Sequence, residues 1–249
     1  MIWALIFSVL IAILTGGDSP YLLPKMDSII KKHVQDDVRK DTLLLLIKET
    51  KIERKAFVKA DKKLSKELND LAQSRESTRQ DFDNLIQRSH ESRKKSNSAN
   101  LKFINEAQNL ITEAEWANMK PDFKKSILKL DKRMQKGAKQ TEKAFNKLEK
   151  KILNTINDID KANKVKEALH NCEKSIITTL TEYRTKMLDE NSILYQYKVE
   201  KQQIIDLQKQ HDNNIKKVIE EAADLHFILV ENTTENEWNK IKGNLKSPL

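Results

Sequence analysis

Glycine and proline are almost missing: the 249-residue chain holds four of each, and neither occurs from Lys25 to Lys120 or from Ala138 to Lys242. Strand-rich and α/β domains need both residues for hairpins, tight crossovers and phosphate loops, so those classes are excluded. Aromatic residues make up only 6% and the hydrophobic set 38%, against 33% charged. That balance suits helices with one apolar stripe and a wet remainder better than a thick globular core. Cys172 is the one cysteine, so no intramolecular disulfide can form, and its simplest role is as a small apolar seam residue. The glycines, Gly16, Gly17, Gly137 and Gly243, cannot build a phosphate loop or a nucleophile elbow.

The histidines are scattered as well. His33 and Asp37 stand one helical turn apart, a spacing common on helix surfaces and weak as a metal signal. His170 and Cys172, two apart, point to different helix faces. The Glu-x-x-His repeats of di-iron bundles are absent. No catalytic, cofactor-binding or metal-ligating set is assigned, and the expectation is a protein that is not an enzyme.

What is present is periodicity. Residues 1–14 are apolar but for Ser8, a length that fits a signal-peptide core better than a full membrane span. Thr15 and Gly17 would suit cleavage after Gly17. The first basic residues after the run, Lys25, Lys31 and Lys32, would hold a retained anchor facing the cytoplasm. Residues 1–17 are therefore read as a signal peptide or membrane anchor, with membrane contact through residues 1–14. The chain is exported (periplasmic or extracellular) or membrane-anchored, the alternative being an anchor that faces the cytoplasm. Residues 18–26, with Pro20 and Pro24, form a linker.

From Asp27, apolar residues recur at three and four. A first helical segment is predicted over 27–120: a long helix, an Asn/Ser break near 96–100, and a short helix over 113–119 that Pro121 stops. A second segment is predicted over 121–249. It comprises a long helix over 122–188 that a break near 157–163 would shorten, a turn near 189–192, a helix over 193–231, and a short helix over 235–242. The fold class is all-α, an elongated antiparallel bundle with coiled-coil-like seams. Lys201, Gln208 and His211 fall on the seam of the penultimate helix, as a partly wet register device or as a polar pocket.

Two patterns are specific. Thr112, Glu115 and Trp116 recur as Thr234, Glu237 and Trp238 within T-E-x-E-W. Each is a capping box: the Thr hydroxyl accepts from the N–H three residues on, and the Glu returns to the Thr N–H. Each Trp is expected to cover one end of the bundle. Second, twelve Lys/Arg face four acids between Lys120 and Lys151, a balance of +8 where the whole chain carries +9. Lys125, Lys129, Lys132, Lys136, Lys139, Lys143, Lys147 and Lys150 recur at three or four, opposite the apolar stripe. They form either a solvated face or a face for an anionic partner, lipid or envelope polymer. A protein partner is equally open, whereas few interleaved aromatics disfavour nucleic acid. Asn232-Thr233-Thr234 is an N-glycosylation sequon that counts only in a glycosylating source.

Overall fold

The computed structural model describes residues 25–242, the side chain of Leu194 apart. The proposed signal or anchor at 1–17, most of the linker and Gly243 lie outside the described residues. Within them the chain is all-α, with seven helices and no strand. The helices are α1 (Met26–His33), α2 (Asp37–Gln73), α3 (Arg79–Leu110), α4 (Glu113–Leu153), α5 (Ile159–Leu188), α6 (Lys201–Glu231) and α7 (Glu235–Lys242).

Five long helices carry the fold. α2 packs on α3, α3 on α6, α6 on α5 and α5 on α4, while α1 bridges α2 and α4. Cross-helix bonds give the directions. Arg93 and Asn97 on α3 meet Asp212 and Gln208 on α6, and Asn214 on α6 meets Glu182 on α5. Arg184 and Lys166 on α5 meet Asp131 and Glu149 on α4. Each neighbouring pair is antiparallel. The base gathers α1, the starts of α2 and α4 and the end of α3; the crown gathers α7 and the α2–α3 and α4–α5 turns.

The core is the three-and-four stripe of each helix turned inward. On α4 it runs Trp116, Met119, Phe123, Ile127, Met134, Phe145, Leu148 and Ile152, and on α5 Val165, Leu169, Cys172, Ile176, Leu180, Tyr183 and Met187, all buried. Nearly every helix boundary has a polar cap in place of glycine. Asp36 accepts from Arg39 N–H, Thr78 and Asp81 form a capping box, and Asp158 accepts from the Asp160 and Lys161 N–H groups.

The boundaries depart from the sequence reading in four places. Residues 96–100 form no break: α3 runs through them and buries Asn100. The interruption comes instead at Ser74–Thr78, and a further one at Val34–Asp36 separates α1 from α2. Ser and Asn cost a helix only tenths of a kcal/mol each, which packing on two neighbouring helices outweighs. Second, Pro121 does not end a short helix, because α4 continues to Leu153. Pro121 is on the exposed side of the helix, where a carbonyl left unpaired is open to solvent, and the stripe from Trp116 to Ile127 holds the helix on either side. Third, the long helix over 122–188 is indeed divided into α4 and α5, at Asn154–Asp158, a few residues before the centre of the break offered near 157–163. Fourth, the helix over 193–231 shortens: Ile193–Tyr195 is one 3₁₀ turn, and α6 starts at Lys201.

Candidate anionic interface and the polar crossings behind it

All eight lysines of the α4 row are exposed. At 100° per residue, Lys125 to Lys150 stay within an arc of about 80° and extend about 38 Å along one helix. Among the described residues, only Lys125 of the eight forms an ion pair, with Asp122 at 3.7 Å. Side chains this densely charged and this little neutralised project a field that salt screens over about 8–10 Å.

The acids of the same segment explain the imbalance. Asp122 accepts from Lys32 Nζ at 2.8 Å and contacts His33 Nε2 at 2.9 Å, both on α1. The Lys32 hydrogen bond, followed by the His33 contact, holds its carboxyl down to about 2. Asp131 is buried and accepts from Arg184 Nε and Gln135 Nε2, each at 2.6 Å. Glu149 pairs with Lys166 at 2.9 Å and His170 at 3.3 Å on α5, and the Lys166 bond leads in holding its pKa below the ordinary value. Glu142 is the fourth acid, exposed about 100° from the row. Three of four carboxylates thus stitch α4 to its neighbours, and the lysines are left to solvent.

The two capping boxes sit at opposite poles. Thr112 Oγ1 accepts from Glu115 N–H at 3.2 Å, and Glu115 accepts from Thr112 N–H at 2.9 Å. Glu115 does more than cap. Arg39 grips it with two bonds of 2.7 and 2.9 Å and also donates to Leu110 O at 2.8 Å. The Arg39 bonds are the main reason the Glu115 carboxyl falls to about 2. Trp116 is buried, donates to Tyr195 O at 3.1 Å and leans on Phe123. At the crown, Thr234 and Glu237 form the second box, Glu237 also accepts from Asn157 N–H at 3.1 Å, and buried Trp238 stands edge-on to His226.

Arg93, Asp61 and Arg75 each face another helix. Arg93, 2% exposed, donates to Asp212 at 3.0 Å and Ser89 at 2.6 Å. Asp61 on α2 is 3% exposed beside it, and burial pushes its carboxyl up to about 6 against the pull of Arg93. Arg75 caps the end of α6 by donating to Val230 O and Thr233 O. Of the three polar seam residues, Lys201 is exposed at the helix start and Gln208 is buried and donates to Asn97 O at 3.3 Å. His211 lies tilted against Tyr183, and both line a cleft of about 350 Å³ together with Met187, Ile193 and Leu207.

The weak metal candidates are drawn apart. His33 faces Asp122 while Asp37 pairs with Lys40, and His170 meets Glu149 while Cys172 is wholly buried. The described residues contain no cluster of three or more His, Cys, Asp or Glu that could hold a metal, and no helix among them is long and apolar enough to cross a membrane. Asn232 of the sequon donates to Ile228 O, and Thr234 is occupied in its capping box.

A feature missed in the sequence is a second basic row: Lys48, Lys55, Lys59, Lys62 and Lys66, all exposed on α2. The same three-and-four spacing would have shown it. Glu49, Glu53 and Asp61 dilute that stretch.

Comparison with family models, with curated proteins and with solved structures returned no significant match.

Proposed function

We propose that this chain is a non-enzymatic, membrane-targeted interaction protein, exported or anchored, whose elongated helical bundle presents α4 to an anionic partner. The observation that carries the reading is the α4 row: eight exposed lysines on one face, with three of the four nearby acids committed inward. The apolar run at 1–14 supports membrane targeting. α4 itself, about 60 Å long for its 41 residues, suits a surface that a partner meets lengthwise.

The test is retention of the full chain on an immobilised polyanion across a salt gradient. K129Q/K136Q/K143Q/K150Q is expected to elute at markedly lower salt than the parent. K55Q/K59Q/K62Q/K66Q removes the same charge from α2 and is expected to shift elution far less. Equal shifts for the two variants would mean that net charge, and not the α4 face, drives binding. Fractionation with N-terminal sequencing of the mature chain decides separately between cleavage and anchoring.

A further inference from the structure

The lysine row of α4 is bordered by aliphatic side chains that the core does not use. Leu128 is 45% exposed and Leu153 is 44% exposed. At 100° per residue both lie to the same side of the row, about 60° and 80° from its axis, near its two ends. Ile159, just past the α4–α5 turn, is 76% exposed. The aromatic residues of α4, Trp116, Phe123 and Phe145, are all buried. The exposed face therefore offers cations and aliphatic carbon but no stacking surface.

That combination discriminates between anionic partners. A nucleic acid would use the lysines and gain nothing from leucines, and single strands would want aromatics for their bases. A lipid bilayer uses both: headgroup phosphates attract the ammonium groups, and aliphatic side chains dip into the headgroup–acyl boundary. Geometry adds to the case. Screening lets a lysine sense the surface only within about 8–10 Å, so all eight act together only if α4 lies parallel to it. The chain that follows the apolar run at 1–14 joins the fold through α1, where Lys25, Lys31 and Lys32 are exposed. Lys32 is bound to Asp122 at the lower end of the same row. The described chain thus begins at the same end of the bundle as the row.

We infer that α4 lies lengthwise on an anionic lipid bilayer, with Lys125–Lys150 over the headgroups and Leu128 and Leu153 dipping into the interface. This rests on the anionic-partner reading and names the partner.

The experiment uses the full chain carrying Leu128→Cys labelled with an environment-sensitive fluorophore. Cys172 is fully buried, so labelling is confined to position 128. Vesicles of phosphatidylcholine with and without phosphatidylglycerol are titrated in. A blue shift, with quenching by a lipid-borne quencher, is expected only with phosphatidylglycerol present and is lost at high salt. Each lysine near such a surface is worth about fivefold in partitioning. K129Q/K136Q/K143Q/K150Q should therefore raise the half-maximal lipid concentration by roughly 600-fold, with K55Q/K59Q/K62Q/K66Q close to the parent. The label at Leu153→Cys should respond in the same way.

Because the label reads α4 and not the N-terminal run, anchoring by residues 1–14 alone leaves it silent. A silent label on phosphatidylglycerol vesicles, an equal shift on neutral ones, or a shift produced by duplex DNA instead would each overturn the inference. If the label is silent while row-dependent retention on the polyanion persists, the lipid assignment fails and the anionic-partner reading stands. If neither responds to the row, both fall.

Discussion

Glu115 is the most heavily committed carboxylate of the fold, and its removal has a calculable consequence. It caps α4, binds Arg39 through two bonds, and through that guanidinium ties the start of α2 to the end of α3 at Leu110 O. Its carboxyl is held at about 2 against an ordinary 4.5, chiefly by the Arg39 bonds. One pKa unit is about 1.36 kcal/mol, so the full shift is worth about 3 kcal/mol. Arg39 is 30% exposed, and solvent screening brings the expected value to about 2 kcal/mol. Glu115→Gln keeps a capping side chain at the third helical position but removes the charge that Arg39 holds. It should cost about 2 kcal/mol at pH 7, measured by urea unfolding followed by circular dichroism. Since the folded pKa is depressed, this stability is fully present above about pH 4.5 and is lost as pH falls toward 2. The gap between parent and variant should therefore shrink by about half or more by pH 3. Thr112→Ala, which removes only the cap, should cost about 1 kcal/mol and keep the pH dependence. A Glu115→Gln cost near zero at pH 7, or a gap that does not change with pH, would refute the coupling to Arg39.

Three further outcomes are expected. Asp61 has a folded pKa of about 6, above its ordinary 3.8, so its burial erodes stability as pH rises through that interval. Asp61→Asn should stabilise the fold by about 1–2 kcal/mol at pH 8 and lose that advantage near pH 4; destabilisation at pH 8 would show that Arg93 needs the second carboxylate. His226 is buried among Phe82, Phe227 and Trp238, and burial lowers its pKa to about 4. It therefore costs stability as pH falls from 6.5 toward 4, and His226→Leu should flatten that limb of the melting temperature against pH. Cys172 is wholly buried and its thiol pKa is pushed up, mainly by burial, so a thiol reagent should modify it only as fast as the protein unfolds. Stoichiometric modification of the native protein within minutes would contradict its burial.

Legibility in the sequence followed the range of the interaction. The apolar spacing from Phe123 to Ile152 and from Val165 to Met187 reads directly as buried stripe because its period is a property of a helix alone. The capping boxes are equally local, closing within four residues. The lysine row needed only helical geometry. By contrast, the Ser/Asn run at 96–100 carries a break signal that packing on α2 and α6 overrides, and the reversal falls at Asn154–Asp158, at the edge of the break offered near 157–163. Arg93, Asp212 and Asp61 are unremarkable in sequence, and only their convergence from α3, α6 and α2 makes them a buried charged cluster.

The order of residues alone determined that this chain is helical, which flank of each helix is apolar, where two helices begin, and that α4 wears a lysine face. Those properties depend on neighbours within a turn or two. Only the tertiary structure decided where the rods reverse, which helices touch, and that Asp122, Asp131 and Glu149 turn toward other helices and leave the lysines uncompensated. Each of these depends on the difference between competing packings, to which side chains dozens of residues apart contribute together.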